Sequence, residues 1–192
     1  MAKYNKEYYE PLEQMMAVRH QYMSKILRDH TDQDIYNFFQ NKQVLDLGCG
    51  TGEFLNNYFE MGAQCTGIDI EKNFKLKNKK NFNLYNLDAN TFLKNCKKKF
   101  DIIFLFEFLE HLEEGDKHKL FESLIKILNK NALIFVSTLN KNLLSKYLAI
   151  DIAENILKLL PKKTHEYDLF LSPTQLQLSL IHISEPTRHA SI

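Results

Sequence analysis

The sequence contains few of the residues that mark several specialised classes of protein. It has no tryptophan and only three cysteines, Cys49, Cys65 and Cys96, whose spacing forms neither a disulfide framework nor a zinc-binding Cys-x-x-Cys pair. Neither sign of charge dominates, because 25 Lys and Arg face 24 Asp and Glu, and this balance argues against a protein that binds nucleic-acid phosphates. We therefore expect a protein of a reducing compartment without a nucleic-acid partner.

Long uninterrupted apolar runs are also missing. No stretch approaches the roughly 18 apolar residues of a membrane-spanning helix, and residues 1–7 lack the apolar centre of a secretory signal. A length of 192 residues with 44% hydrophobic residues is nevertheless enough to bury the core of one ordinary domain. These features predict a cytoplasmic protein, unless the chain is attached peripherally to a membrane.

Short apolar runs alternate with segments of helical periodicity along most of the chain. The predicted strands are Val44–Leu47, Cys65–Asp69, Phe82–Asn86, Ile102–Phe106 and Leu133–Val136. The predicted helices are 4–39, a segment around Phe54–Phe59, a lysine-rich stretch 72–80 with a weak pattern, and a segment from about Gly115 that includes Leu128. This alternation predicts an α/β fold, a Rossmann-like, doubly wound and mainly parallel sheet with helices on both faces.

A glycine-rich turn separates the first predicted strand from the next helix. The run Asp46-Leu47-Gly48-Cys49-Gly50-Thr51-Gly52 has glycines at alternate positions, which lets the backbone turn sharply and bring N–H groups close to a ligand. Asp69 ends the next predicted strand, where a carboxylate can accept both hydroxyls of a ribose. Together these features predict a site for a nucleoside-containing cofactor where the strand order reverses.

The order of these glycines differs from the dinucleotide pattern G-x-G-x-x-G. It resembles motif I of the class I S-adenosylmethionine (SAM) methyltransferases, in which the loop holds the methionyl part of SAM and the acid holds the ribose. The resemblance assigns four loop residues and the acid to the cofactor: Asp46, Gly48, Gly50, Gly52 and Asp69. It also places Asp88 beside the adenine, although Asp88 is equally suited to cap the helix that follows it.

Further segments make the resemblance more specific. Glu107-Phe108-Leu109-Glu110-His111 follows the fourth predicted strand, Ser137–Asn142 follows the fifth, and Pro161-Lys162-Lys163-Thr164-His165-Glu166 comes later. Over residues 19–176 the chain looks like the ubiquinone-biosynthesis O-methyltransferases. The resemblance implies SAM-dependent methylation of a catechol-type hydroxyl on a polyprenylated ubiquinone precursor, and it places SAM contacts on Arg19, Gly48, Asp69 and Phe106.

Two of these contact residues also have ordinary structural interpretations. Arg19 offers a fork of donors for the methionyl carboxylate, or it is a solvated arginine on the surface of a helix. Phe106 packs against the adenine or near the sulfonium, or it belongs to the core.

Such a reaction requires a phenolate, and a phenol with a pKa near ~10 needs a base or a metal ion at neutral pH. Glu107, Glu110 and His111 are the candidates, because their spacing places them on one face of a helical turn. The resemblance supports a divalent ion there. Carboxylates favour Mg²⁺, whereas the imidazole leaves zinc or manganese open. Alternatively, the two acids are solvated and stabilise the first turn of a helix.

Residues 143–163 combine a broad apolar face with Lys162 and Lys163. A polyprenylated precursor resides in the bilayer, so this segment is predicted to dock on a membrane surface, in agreement with the membrane association of the family. Core packing is the alternative. The resemblance also implies other ubiquinone-biosynthesis enzymes as partners.

Residues 178–192 depart from the family pattern. Leu178–Arg188 looks like the in-frame translation of a sequencing adapter, so we interpret 178–192 as a non-native tail. Residues 1–177 are then one SAM-dependent methyltransferase domain whose last strands are missing. Two other functions stay open: a SAM methyltransferase for another small molecule, and a non-catalytic scaffold that binds SAM or lipid.

Overall fold

A computed structural model describes residues 6–31 and 33–137, where helices and parallel strands alternate. The helices in these ranges are α1 (Lys6–Thr31), α2 (Ile35–Phe39), α3 (Glu53–Glu60), α4 (Ala89–Asn95) and α5 (Glu114–Ile125), and Leu109–His111 forms a 3₁₀ turn. The strands there are β1 (Gln43–Leu47), β2 (Gln64–Asp69), β3 (Phe82–Asn86), β4 (Phe100–Phe106) and β5 (Leu128–Ser137). The predictions for 143–163 and 178–192 lie outside the described residues.

The five strands form one parallel sheet in the order β3-β2-β1-β4-β5. The chain proceeds outward from β1 to β2 and β3, then crosses to the other side of β1 to add β4 and β5. The α/β architecture with a doubly wound parallel sheet is therefore confirmed. Its switch point lies at the carboxyl ends of β1 and β4, where sheets of this kind bind ligands.

Both faces of the central strands are buried. Val44 of β1 packs into an apolar cluster with residues of α1, α2 and α3, whereas Leu45 and Leu47 pack on the other face with α4 and α5. This explains the continuous apolar run of β1, since a parallel strand covered on both faces needs apolar side chains on both.

The predicted helix over 4–39 is two helices. Asp34 caps the second one, because its Oδ1 accepts a hydrogen bond from Asn37 N at 3.0 Å and so satisfies a free amide of the first turn of α2. The chain reorients at this cap, and the buried Ile35 and Phe39 of α2 then reach the core.

Two helix predictions need correction. Residues 72–80 form no helix. Asn78, which precedes β3 in the chain, instead bonds the backbone of that strand: its side chain accepts from Leu84 N at 2.8 Å and donates to Leu84 O at 3.3 Å. The stretch has few apolar side chains to bury, so these local polar contacts prevail. Leu128 lies outside α5 and is the first residue of β5. The segment pairs with β4 at this point, since Phe100 N donates to Ile127 O at 2.8 Å.

Among the described residues, no helix has the length and apolar character needed to cross a membrane.

Candidate active site

The loop after β1 takes a backbone path that requires glycine. Gly48, Gly50 and Gly52 have φ angles of +79°, +53° and +81°, which side chains other than glycine rarely tolerate. A Cβ atom on Gly48 would lie 2.9 Å from Phe108 Cδ2, and one on Gly52 would lie 2.9 Å from Leu84 Cδ1. The space beside Gly50 is open. The loop therefore packs tightly at its two ends and exposes backbone at its centre.

Asp69, at the carboxyl end of β2, is fixed by two backbone amides. Its Oδ2 accepts from Gly50 N at 2.7 Å, and its Oδ1 accepts from Glu71 N at 2.8 Å. Charge-assisted bonds of this kind are short and strong. They orient the carboxylate and connect the centre of the glycine loop to the neighbouring strand.

Asp46 lies beneath this loop and is 4% exposed. Burial raises the pKa of its carboxyl to about 7, the nearby Asp69 adds to the rise, and the Arg19 guanidinium opposes it. The pKa of Asp46 therefore lies well above the usual range of an aspartate.

Arg19 projects from α1 into the site, with its side chain 15% exposed. The guanidinium carbon lies 5.0 Å from the centre of the Phe106 ring and 6.0 Å from that of Phe54. Burial lowers the pKa of Arg19, and Asp46 and Glu110 act in the opposite direction. Its Nε atom is buried without a hydrogen-bond partner among the described residues. The interpretation of Arg19 as a solvated surface arginine is therefore wrong.

Glu107, directly after β4, forms an ion pair with Arg19 through Oε2 and Nη2. Its Oε1 accepts a hydrogen bond from Ser137 Oγ at 2.6 Å, and its backbone N donates to Ser137 O at 3.0 Å. Its φ angle is +46°, a conformation unusual for a residue with a side chain. The ends of β4 and β5 thus hold this carboxylate against α1.

The three predicted catalytic residues do not share one helical face. Glu107 lies before the 3₁₀ turn in a left-handed conformation, whereas Glu110 and His111 belong to the turn. Glu110 is 2% exposed and His111 is exposed to solvent. The predicted arrangement was wrong because a helical conformation was assumed for a residue whose backbone is fixed by Ser137.

A metal site does not fit the arrangement of these donors. Within residues 6–31 and 33–137, no three His, Cys, Asp or Glu side chains are grouped so that they could hold an ion. Glu107 is engaged by a cation and a hydroxyl, and Glu110 and His111 differ widely in exposure. Since metal ligation needs convergent donors, we derive no catalytic step through a metal ion.

Asp88 and Phe106 both make the contacts expected of a purely structural role, a helix cap for Asp88 and core packing for Phe106. Asp88 caps α4, its Oδ1 accepting from Thr91 N at 3.0 Å. The Phe106 ring stacks on Phe104 with centroids 5.1 Å apart and meets Phe54 edge-on at 5.2 Å. Phe106 is only half-buried, and the Arg19 guanidinium lies over its ring.

Comparisons with known proteins agree with this fold. Residues 18–187 match the family described as "Methyltransferase domain". The chain is 34% identical over 175 residues to a protein of Pelagibacter ubique named "Ubiquinone biosynthesis O-methyltransferase", covering 88% of this chain and 72% of that protein.

The chain belongs to the class I SAM-dependent methyltransferases.

Solved structures show the same fold. A SAM-dependent methyltransferase from Archaeoglobus fulgidus superposes with a TM-score of 0.61 at 24% identity, covering 92% of this chain and 74% of the other. The plantazolicin methyltransferase BpumL, solved in complex with S-adenosylhomocysteine (SAH), superposes with a TM-score of 0.59 at 19% identity, covering 95% and 73%.

The methyltransferase fold brings most of the predicted residues to one edge. Arg19 reaches it from α1, the glycine loop from β1, Asp69 from β2, and Phe106 and Glu107 from β4. No role is predicted for Ser137 from the sequence. Its position at the end of the predicted strand beside β4 could have indicated a hydrogen bond to a residue that follows β4, such as Glu107. The packing of Phe108 on Gly48 depends on side-chain directions that no pattern encoded.

Proposed function

We propose that this methyltransferase transfers the methyl group of SAM to a catechol-type hydroxyl of a polyprenylated ubiquinone precursor. The observation that carries the proposal is the 34% identity to a protein named "Ubiquinone biosynthesis O-methyltransferase", which extends over 88% of this chain. Other proteins with the same name are 30–32% identical over the same share of the chain.

The described residues fit SAM by charge and shape. The buried Nε of Arg19 has no hydrogen-bond partner among them, which suits a carboxylate ligand. The open space at Gly50 lets a ligand approach the loop backbone, and Asp69 is oriented beside it. In our proposal Gly48 to Gly52 and Asp69 hold the methionyl and ribose parts, with Asp46 beneath them and with Asp88 and Phe106 beside the adenosine.

Bound SAM supplies a methyl group on a positively charged sulfur, so the donor needs no further activation. The protein must orient the acceptor and remove the proton of the attacking hydroxyl. His111 is the candidate base, because its imidazole is exposed at the same edge of the sheet and imidazoles transfer protons near neutral pH. The buried Glu110 beside it is a candidate to orient the base or the acceptor.

The remaining parts of the proposal concern the acceptor and its surroundings. A long isoprenoid tail would place the substrate in a bilayer, and segment 143–163 is our candidate for peripheral docking there. Other ubiquinone-biosynthesis enzymes are candidate partners. Because the described donors do not fit a metal site, we expect a chelator to leave methyl transfer unchanged. The alternative is a SAM methyltransferase for a different small molecule.

A methyl-transfer assay with demethylated catechol analogues, with and without chelator, tests the proposal. We expect transfer by the wild type and a loss of about 100-fold or more in kcat for His111→Ala, with SAH affinity unchanged. His118→Ala is the matched control, since His118 is exposed on α5 and pairs with Glu122 at 3.4 Å. If the protein binds SAH but methylates no catechol, the proposed acceptor is wrong.

A further inference from the structure

The connection between β2 and β3 differs from the other crossovers of the sheet that the structure describes. Helices α3, α4 and α5 lead into β2, β4 and β5, whereas residues 70–81 reach β3 without a helix. A segment without a helix has no intrahelical hydrogen bonds, so its path depends on contacts with its neighbours. Phe74 and Leu76 are half-buried against the core and keep the middle of connection 70–81 close to the sheet.

Hydrogen bonds to β3 fix both ends of connection 70–81. Asn86 Nδ2 donates to Ile70 O at 2.8 Å, and Lys79 and Phe82 exchange backbone hydrogen bonds of 2.9 and 3.0 Å. Between these ends, at Lys75, the connection contacts the glycine loop. It therefore joins β3 to the loop on which the cofactor proposal depends.

Lys75 binds the glycine loop through both its backbone and its side chain. Lys75 N donates to Thr51 O at 3.1 Å, and Lys75 Nζ forms an ion pair with Glu53 Oε2 at 2.7 Å. The same carboxylate oxygen accepts from Thr51 Oγ1 at 2.9 Å. Burial alone would raise the pKa of Glu53, but the bonds from Lys75 and Thr51 outweigh it and lower that pKa. Thr51 is thus held at its carbonyl and at its hydroxyl.

Thr51 lies where the loop has most conformational freedom to lose. It stands between Gly50 and Gly52, and glycine loses more backbone freedom on ordering than any other residue. A loop that samples several conformations binds its ligand more weakly, because only the competent fraction binds. Contacts that fix Thr51 restrict both glycines before a ligand arrives.

We infer that Lys75 and Glu53 are positioning residues that hold the glycine loop in its cofactor-binding conformation. They act through Thr51 and not by direct contact with the cofactor. The inference rests on the SAM-binding part of the proposed function and makes no use of the acceptor.

Calorimetric titration of SAH against a double-mutant cycle tests the inference. The side chains of Lys75 and Glu53 are 34% and 36% exposed, so for Lys75→Gln and for Glu53→Gln we expect the Kd to rise only about threefold to fivefold. The double variant should bind SAH no more weakly than either single variant, because both substitutions remove the same contact. Lys75→Arg keeps the charge and should restore most of the affinity.

Amide hydrogen exchange without any ligand gives an independent readout. Lys75→Gln should speed exchange at Gly50 and Gly52 by about threefold or more, because the loop opens more easily. A purely structural contribution would instead speed exchange at Leu45, which is buried in the middle of β1, and would leave the two glycines unchanged.

Lys79→Gln is the matched control. Lys79 belongs to the same connection and pairs with Glu60, the last residue of α3, at 3.5 Å. Its substitution removes an ion pair to α3 without removing a contact to Thr51. Neither the Kd of SAH nor exchange at the two glycines should change by more than about 1.5-fold.

Four results would overturn the inference. They are unchanged exchange at Gly50 and Gly52 in Lys75→Gln, faster exchange there with an unchanged Kd of SAH, losses of affinity that simply add in the double variant, and an equal effect of Lys79→Gln. If the wild type itself fails to bind SAH, the cofactor proposal is wrong, and the exchange rates still decide whether this ion pair holds the loop.

Discussion

The backbone amide of Gly50 donates to Asp69 Oδ2 at 2.7 Å, which joins the centre of the glycine loop to the end of β2. The other carboxylate oxygen of Asp69 is held by Glu71 N. The acid therefore supports the loop, and in our proposal its remaining lone pairs bind the ribose of SAM.

Asp69→Asn should weaken both functions of this carboxylate. The amide loses the charge that strengthens hydrogen bonds to N–H and hydroxyl groups, so we expect the Kd of SAH to rise by at least about tenfold. Stability should fall by about 1 kcal/mol. Titration calorimetry and urea unfolding measure the two effects. Glu71→Gln is the control, since Glu71 is exposed, and an equal effect there would contradict the assigned role.

Alanine at the loop glycines should destabilise the protein to different degrees. Gly50→Ala incurs the cost of a positive φ alone, about 1 kcal/mol. Gly52→Ala adds a contact of 2.9 Å with the buried Leu84 and should cost about 1–3 kcal/mol more.

Gly115→Ala is the control for these two variants. Gly115 lies in α5 with open space around it, so alanine should stabilise the protein by about 0.5–1 kcal/mol. Urea unfolding measures all three variants. Equal losses for Gly50→Ala and Gly52→Ala would show that Leu84 moves aside freely.

Substitutions of Asp88 should distinguish its role as the N-cap of α4 from a direct contact with the cofactor. Asp88→Ala removes the bond to Thr91 N and should cost about 1 kcal/mol of stability. Asp88→Asn keeps a good N-cap and should leave stability nearly unchanged. A weaker SAH affinity for Asp88→Asn at unchanged stability would indicate a contact with the ligand, and equal affinity would leave Asp88 as a cap alone.

The buried Asp46 should make stability depend on pH. Its pKa is about 7 in the folded protein, above an unfolded value of about 4. Between these values the folded state keeps a proton that the unfolded state has lost, so stability from this group is present at low pH and falls as pH rises. The loss is at most about 4 kcal/mol and is complete above the folded pKa.

Asp46→Asn should remove this part of the pH dependence. We expect the difference in free energy of unfolding between wild type and variant to change between about pH 4 and 7, with the variant relatively more stable at the higher pH. Urea unfolding across this range measures it. Parallel pH profiles would mean that Asp46 titrates near its ordinary value.

The sheet and the cofactor loop were predictable because their signals are local. Val44–Leu47 is a continuous apolar run ended by glycine, and Asp69 follows at the distance of one helix and one strand. Glu107 was misplaced because its backbone is set by Ser137, thirty residues away in the sequence. The burial of Arg19 likewise depends on Phe54 and Phe106, which meet only in the folded chain.

Pairing of β4 with β1 has a consequence for the dynamics of the site. Asp101 at the start of β4 accepts a hydrogen bond from Gln43 N at 2.8 Å, across 58 positions of sequence. Contacts that close so long a loop form late and slowly. Because Phe106 ends β4 and Glu107 follows it, an opening of β4 would move both away from the glycine loop together, and we expect a ligand bound there to slow amide hydrogen exchange along β4.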